Sequence, residues 1–162
     1  MAYPCVNEGL FGPKIVNMVD MHGFHDTLNR DAYFLQQIKQ HLLGQPHFIP
    51  QIAAIFIVLD ASSPRNSIFN AERFLQEALG LGESQAAETR QSSVVVVNKL
   101  SKAPHQSKAR SFYSQLLGSL GYAHAVFETK DYCLPGDTER EQGPQLDALR
   151  ARLATTKPWK LV

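Results

Sequence analysis

The hydrophobic pattern divides the chain into runs that suit strands and stretches whose spacing suits helices. Four runs are continuous or nearly so in apolar residues: Lys14 to Asp20, Ala53 to Asp60, Ser93 to Asn98, and the shorter Ala123 to Glu128. Runs without polar alternation fit strands buried on both faces, as in parallel sheets covered by helices. Between them, Leu35, Ile38 and Leu42 form one helical stripe. A fuller one comes from Ala71, Phe74, Leu75, Ala78 and Leu79, with Gly80 as terminator. Ala109, Phe112, Tyr113, Leu116, Leu117 and Leu120 follow the i, i+3, i+4, i+7 spacing until Gly121, and Leu146, Leu149 and Leu153 mark a last helix. Strands alternating with helices predict an α/β fold: three layers, doubly wound, with a mainly parallel sheet and helices on both faces.

Three stretches interrupt this pattern. Residues 1–13 carry Pro4, Pro13, Gly9 and Gly12 and read as an N-terminal arm or edge segment before a single domain over 14–162. Gln85 to Ser92 is polar without a period and reads as a surface loop. Tyr132 to Gly143, with Pro135-Gly136-Asp137 inside it, reads as another.

Composition narrows the function classes. Apolar residues make up 44% of the 162, which excludes wholesale disorder. Sixteen Lys and Arg against fifteen Asp and Glu leave a net charge of +1, so no basic excess points to a nucleic-acid partner. The longest apolar run, Ile52 to Leu59, falls far short of the roughly 20 residues that a membrane-spanning helix needs. Cys5 and Cys133 are too few for a disulfide framework or a cysteine-rich zinc site, and the expected compartment is cytoplasmic.

In open α/β sheets ligands bind beyond the carboxyl ends of the strands, so the residues there bear most on function. They are Asp20-Met21-His22-Gly23, then Asp60-Ala61-Ser62, then Asn98-Lys99-Leu100-Ser101, then Glu128-Thr129-Lys130. This set, in this order, resembles the second half of a P-loop GTPase domain, closer to the immunity-associated, septin-like and chloroplast-import branch than to the Ras-like one. Pro50 to Asp60, with Arg65 after it, is similar to the central strand of that branch. The resemblance spans about residues 14–155. It implies that Asp20 holds Mg²⁺ through water and that the Gly23 amide meets the γ-phosphate of GTP. It also implies that Asn98, Lys99 and Ser101 stand where the guanine-reading Asn-Lys-x-Asp stands, with Thr129 and Lys130 near the base. His22, with a side-chain pKa near neutrality, is the candidate assistant in hydrolysis.

Two departures qualify this resemblance. No Gly-x-x-x-x-Gly-Lys-Ser/Thr occurs in the sequence, so the loop that cradles the β- and γ-phosphates is missing, together with the strand, helix and switch segment expected upstream of Asp20. Ser101 replaces the base-reading Asp, and a hydroxyl cannot give a bidentate carboxylate contact. The expectation is a truncated, degenerate or split GTPase domain. Its role would be linked to GTP or GDP with Mg²⁺, or purely scaffolding, and would depend on a protein partner, self-association or a missing N-terminal segment.

Two other classes compete. Asp20-Met21-His22-Gly23-Phe24-His25-Asp26-Thr27 is reminiscent of the Asp-x-Asp-Gly-Thr opening of haloacid-dehalogenase-like phosphohydrolases, with Asp20 as nucleophile but His22 in place of the general acid. Lys99 or Lys102 and Gly136-Asp137 would have to supply that family's later motifs. The other class is a non-catalytic protein-interaction module. Asp20, His22, His25 and Asp26 form the densest group of potential metal ligands, though their spacing matches no standard site and ordinary solvated loop residues explain them better. Arg65 and Arg73 are candidate phosphate contacts, though exposed helix charges explain them better. A lipase-like reading of His22-Gly23-Phe24 fails, because no Gly-x-Ser-x-Gly elbow exists.

Overall fold

The computed structural model describes residues 2–6, 15–19, 31–43, 51–63, 67–126 and 147–160. In chain order its elements are β1 (Ala2–Val6), β2 (Ile15–Val19), α1 (Asp31–Leu43), β3 (Gln51–Ile52), β4 (Ile55–Asp60), α2 (Ile68–Leu79), α3 (Ala86–Gln91), β5 (Ser93–Asn98), α4 (Gln106–Ser119), β6 (Ala123–Val126), α5 (147–153) and β7 (Trp159–Lys160).

The centre is a three-stranded parallel sheet in the order β4-β5-β6. β5 is its middle strand because four consecutive β-branched valines can be buried on both pleat faces. Val94, Val95 and Val97 are fully buried. Ile57 and Leu59 of β4 lie in register with Val95 and Val97, and all four face one core. Ile68, Ala71 and Leu75 of α2 pack against that core, as do Ala109, Tyr113, Leu116 and Leu117 of α4. The two helices share a face for a topological reason. Right-handed crossovers that step the same way along a sheet, first β4 to β5 and then β5 to β6, lay their helices on the same side. On the other pleat face of β4, Phe56 and Val58 are exposed.

α2 begins and ends where its sequence dictates. The Ser67 hydroxyl caps it by accepting from the Asn70 amide at 3.2 Å. Gly80 closes it in the left-handed region (φ 67°), which favours a residue without Cβ. α1 packs on α2 through Ile38 against Ala78 and Leu79, and Trp159 of β7 lies on the same cluster. β7 pairs antiparallel with β3, and the Lys157 amide donates to the Gln91 carbonyl at 3.0 Å. These contacts return residues 157–160 to the region where β4 and β5 begin.

Two expectations change and one becomes specific. Within the stretch read as an arm or edge segment, Ala2–Val6 is a strand of a two-stranded ladder, where Pro4 is tolerated because both strands are edges. The run before Asp20 does form a strand, but β2 pairs antiparallel with β1 and is not a hydrogen-bonded neighbour of β4 among the described residues. Gln85 to Ser92 is not a loop: a 3₁₀ turn at Glu83–Gln85 leads into α3. α3 is short and held by polar contacts, so it leaves no apolar stripe to read. Buried Thr89 donates from its hydroxyl to the Gln85 carbonyl at 3.0 Å and accepts at its own carbonyl from the Ser93 hydroxyl at 2.6 Å.

A polar network ties the far end of the same core. The Arg90 Nε of α3 donates to Glu72 Oε1 of α2 at 2.6 Å. Buried Tyr122, just before β6, donates its hydroxyl to the same oxygen at 2.7 Å. The Arg90 guanidinium also lies 5.8 Å from the centre of the Tyr122 ring.

Candidate functional site

β4 and β5 run parallel and in register, so Asp60 and Asn98 end them side by side at the carboxyl edge. The backbone at and after Asn98 is closely held. The Lys99 amide donates to the Asn98 Oδ1 at 2.9 Å, and the Asn98 carbonyl accepts from the Ala61 amide at 2.9 Å. Lys99 itself adopts φ 56°, a left-handed conformation that non-glycine residues seldom take and that recurs at functional sites. Fully buried Leu100 then pins the 3₁₀ turn Leu100–Lys102 into the core, while Ser101 and Lys102 stay on the surface.

The side chains form a compact charged group. Lys99 Nζ donates to Asp60 Oδ2 at 2.6 Å. Asp60 Oδ1 accepts from the Ser62 amide at 2.9 Å and from the Ser62 hydroxyl at 2.5 Å. Burial pushes the Asp60 carboxyl up, but the hydrogen bonds from Lys99 and Ser62 outweigh it and hold the group below its ordinary value. It is therefore ionised throughout the physiological range. Tyr113 of α4 is half-buried, and its phenol is pushed up by burial and by the negative charge of Asp60.

Of the residues that the sequence singles out, Asn98, Lys99 and Ser101 meet on this edge. Arg73 is exposed on α2. Asp20, His22, Gly23, Thr129 and Lys130 lie outside the described residues, as do His25, Asp26, Arg65 and Glu128. Among the described residues no group of three or more His, Cys, Asp or Glu could hold a metal ion, and no helix is long and apolar enough to cross a membrane. Asp60 is the residue whose part the sequence understated. As the last residue of an apolar strand it reads as a strand terminator, and only the parallel register to Asn98 puts it against Lys99.

The edge can supply an ionised acceptor, a lysine with a four-carbon stem, an asparagine amide and two serine hydroxyls to a ligand. No protein-family model, no curated protein and no solved structure matches the chain.

Proposed function

We propose that this chain is a GTPase-like domain, doubly wound in three layers, that keeps a base-facing edge and whose sequence holds no Gly-x-x-x-x-Gly-Lys-Ser/Thr phosphate loop. It acts as a nucleotide-linked or scaffolding module through a protein partner or self-association. The observation that carries this reading is the turn Asn98-Lys99-Leu100-Ser101. It stands at the carboxyl end of the middle parallel strand, held in a left-handed conformation at Lys99 and rooted by buried Leu100. This is where an α/β sheet of this kind holds ligands.

The missing Gly-Lys-Ser/Thr loop decides what the domain does with a nucleotide. Backbone amides and a lysine around the β- and γ-phosphates supply most of the binding and nearly all of the charge stabilisation in GTP hydrolysis. Without them, GTP turns over no faster than in buffer, and its dissociation constant is about 0.1 mM or weaker, about −5 kcal/mol. Mg²⁺ at Asp20 and assistance from His22 belong to the same resemblance, and no step here depends on them.

Titration calorimetry with GTP and ATP tests the reading, on the natural chain and on Ser101→Asp. The natural chain should discriminate the two by less than about tenfold, ~1.4 kcal/mol, because Ser101 offers no carboxylate to the guanine edge. Ser101→Asp should raise the preference for GTP. Tight guanine-selective binding by the natural chain would refute the assignment of Ser101, and no change on substitution would mean that this turn does not face a base.

A role without nucleotide is favoured by one observation. Phe56 and Val58 are 37% and 57% exposed on the same face of β4, and apolar groups so displayed suit a protein contact.

A further inference from the structure

We infer that Asp60 is the positioning residue of this edge: it draws the Lys99 ammonium down onto the sheet, so the Lys99–Asp60 pair meets a ligand with an alkyl stem and no net charge of its own. The inference rests on the nucleotide reading above and deepens it, because such a pair suits the uncharged ring of a nucleoside better than an anion.

The geometry supports each part. The root of the Lys99 side chain is fixed, since its backbone is locked by the Asn98 side chain on one side and by buried Leu100 on the other. The Asp60 carboxylate is fixed as well: two donors from Ser62 hold Oδ1, which leaves Oδ2 toward Lys99 Nζ at 2.6 Å. Both partners are in reach of a ligand, with side chains 27% exposed at Asp60 and 40% exposed at Lys99. A lone lysine at a strand end would attract phosphate as a point charge. Paired at this distance with an ionised carboxylate, its field is largely cancelled, while its methylene stem remains an apolar surface against which a flat ring can lie. Asp60 need not touch the ligand to do this. It acts through Lys99.

The test uses the full chain and three probes: guanosine, GTP and inorganic tripolyphosphate, each titrated by NMR against the natural protein, Asp60→Asn, Asp60→Glu and Ser62→Ala. In parallel, the reactivity of the Lys99 amine toward reductive methylation reports how firmly it is held. The natural chain should bind guanosine within about threefold of GTP and show no response to tripolyphosphate. Asp60→Asn should weaken guanosine about fivefold or more, give a measurable response to tripolyphosphate, and raise Lys99 methylation. Asp60→Glu should bring guanosine back to within about twofold, which a purely structural role would not require. Ser62→Ala, which loosens the carboxylate and keeps its charge, should fall between them, and it carries the test if Asp60→Asn does not fold. Unchanged guanosine binding and unchanged Lys99 methylation in Asp60→Asn would overturn the inference, as would tripolyphosphate binding the natural chain as well as GTP does. If methylation rises in Asp60→Asn but the natural chain binds neither guanosine nor GTP, the nucleotide reading itself falls and takes the ring-presenting role with it.

Discussion

The network of Glu72, Arg90 and Tyr122 offers a quantitative check on how this core is held. Tyr122 is 5% exposed, and its hydroxyl donates to Glu72 Oε1 at 2.7 Å, while Arg90 Nε donates to the same oxygen at 2.6 Å. A hydrogen bond to a charged group contributes about 1.5–3 kcal/mol, and replacing Tyr122 by Phe also removes the cost of burying a hydroxyl. Arg90 keeps the Glu72 charge paired in that variant, so Tyr122→Phe should cost about 1.5 kcal/mol. Glu72→Ala should cost more, about 3 kcal/mol, because it orphans a buried phenol and strips a partner from Arg90, whose side chain is 28% exposed. The double variant should cost less than the sum by about 1.5 kcal/mol. The phenol adds a test by pH. Burial, reinforced by Glu72, raises the Tyr122 pKa far above its ordinary value of 10.0. Below pH 10 both folded and unfolded phenols are protonated and the full stability is present. Above it the unfolded chain loses a proton that the folded one keeps, so stability falls by about 1.4 kcal/mol per pH unit. Urea unfolding of both chains between pH 8 and 11 measures this, and Tyr122→Phe should show a slope shallower by that amount. Equal slopes, or a Glu72→Ala cost no greater than that of Tyr122→Phe, would refute the network.

Three further outcomes concern the central sheet. Leu59→Ala, at a fully buried position between β5 and the two helices, should cost about 3 kcal/mol in urea unfolding. The Asp60 carboxyl, held below its ordinary 3.8, contributes stability that is present above that value and lost as pH falls through the lower folded one, so acid unfolding of the natural chain and Asp60→Asn should converge below about pH 3. Val58→Lys, at an exposed position on an outer strand, should leave stability within about 0.5 kcal/mol; if self-association uses this face, the variant should sediment as the smaller species, and identical sedimentation would exclude it.

The parts of the fold that arise from local chemistry were legible in the sequence. A short run of four β-branched valines favours a buried strand, and β5 falls at Ser93–Asn98 accordingly. The stripe from Ala71 to Leu79, with Gly80 behind it, gives α2 and its left-handed stop. α3 was not legible, because six residues held by Thr89, Ser93 and Arg90 through hydrogen bonds have no hydrophobic period. The partner of β2 was not legible either. A strand's own residues specify that it pairs, while the choice between β1 and β4 depends on hydrogen-bonding groups far away in sequence. The site shows the same division. Asn98 and Lys99 stand out as a polar pair ending an apolar run, whereas Asp60 becomes their neighbour only through the parallel register of β4 with β5, which sets it beside Asn98.

That register also connects the two surfaces of β4. Alternation along the strand places Phe56, Val58 and Asp60 on one pleat face, opposite to Ile57 and Leu59 in the core. The exposed apolar pair and the carboxylate that holds Lys99 are thus successive positions of one row, two residues apart. A protein that covers Phe56 and Val58 would reach Asp60 next, and the desolvation it brings would strengthen the ion pair between Asp60 and Lys99. A ligand that required the Lys99 ammonium would be opposed by such a partner; one that lies on the stem would be favoured by it. The carboxyl edge and the outer face of β4 would therefore act together, so that what covers one bears on what the other can hold.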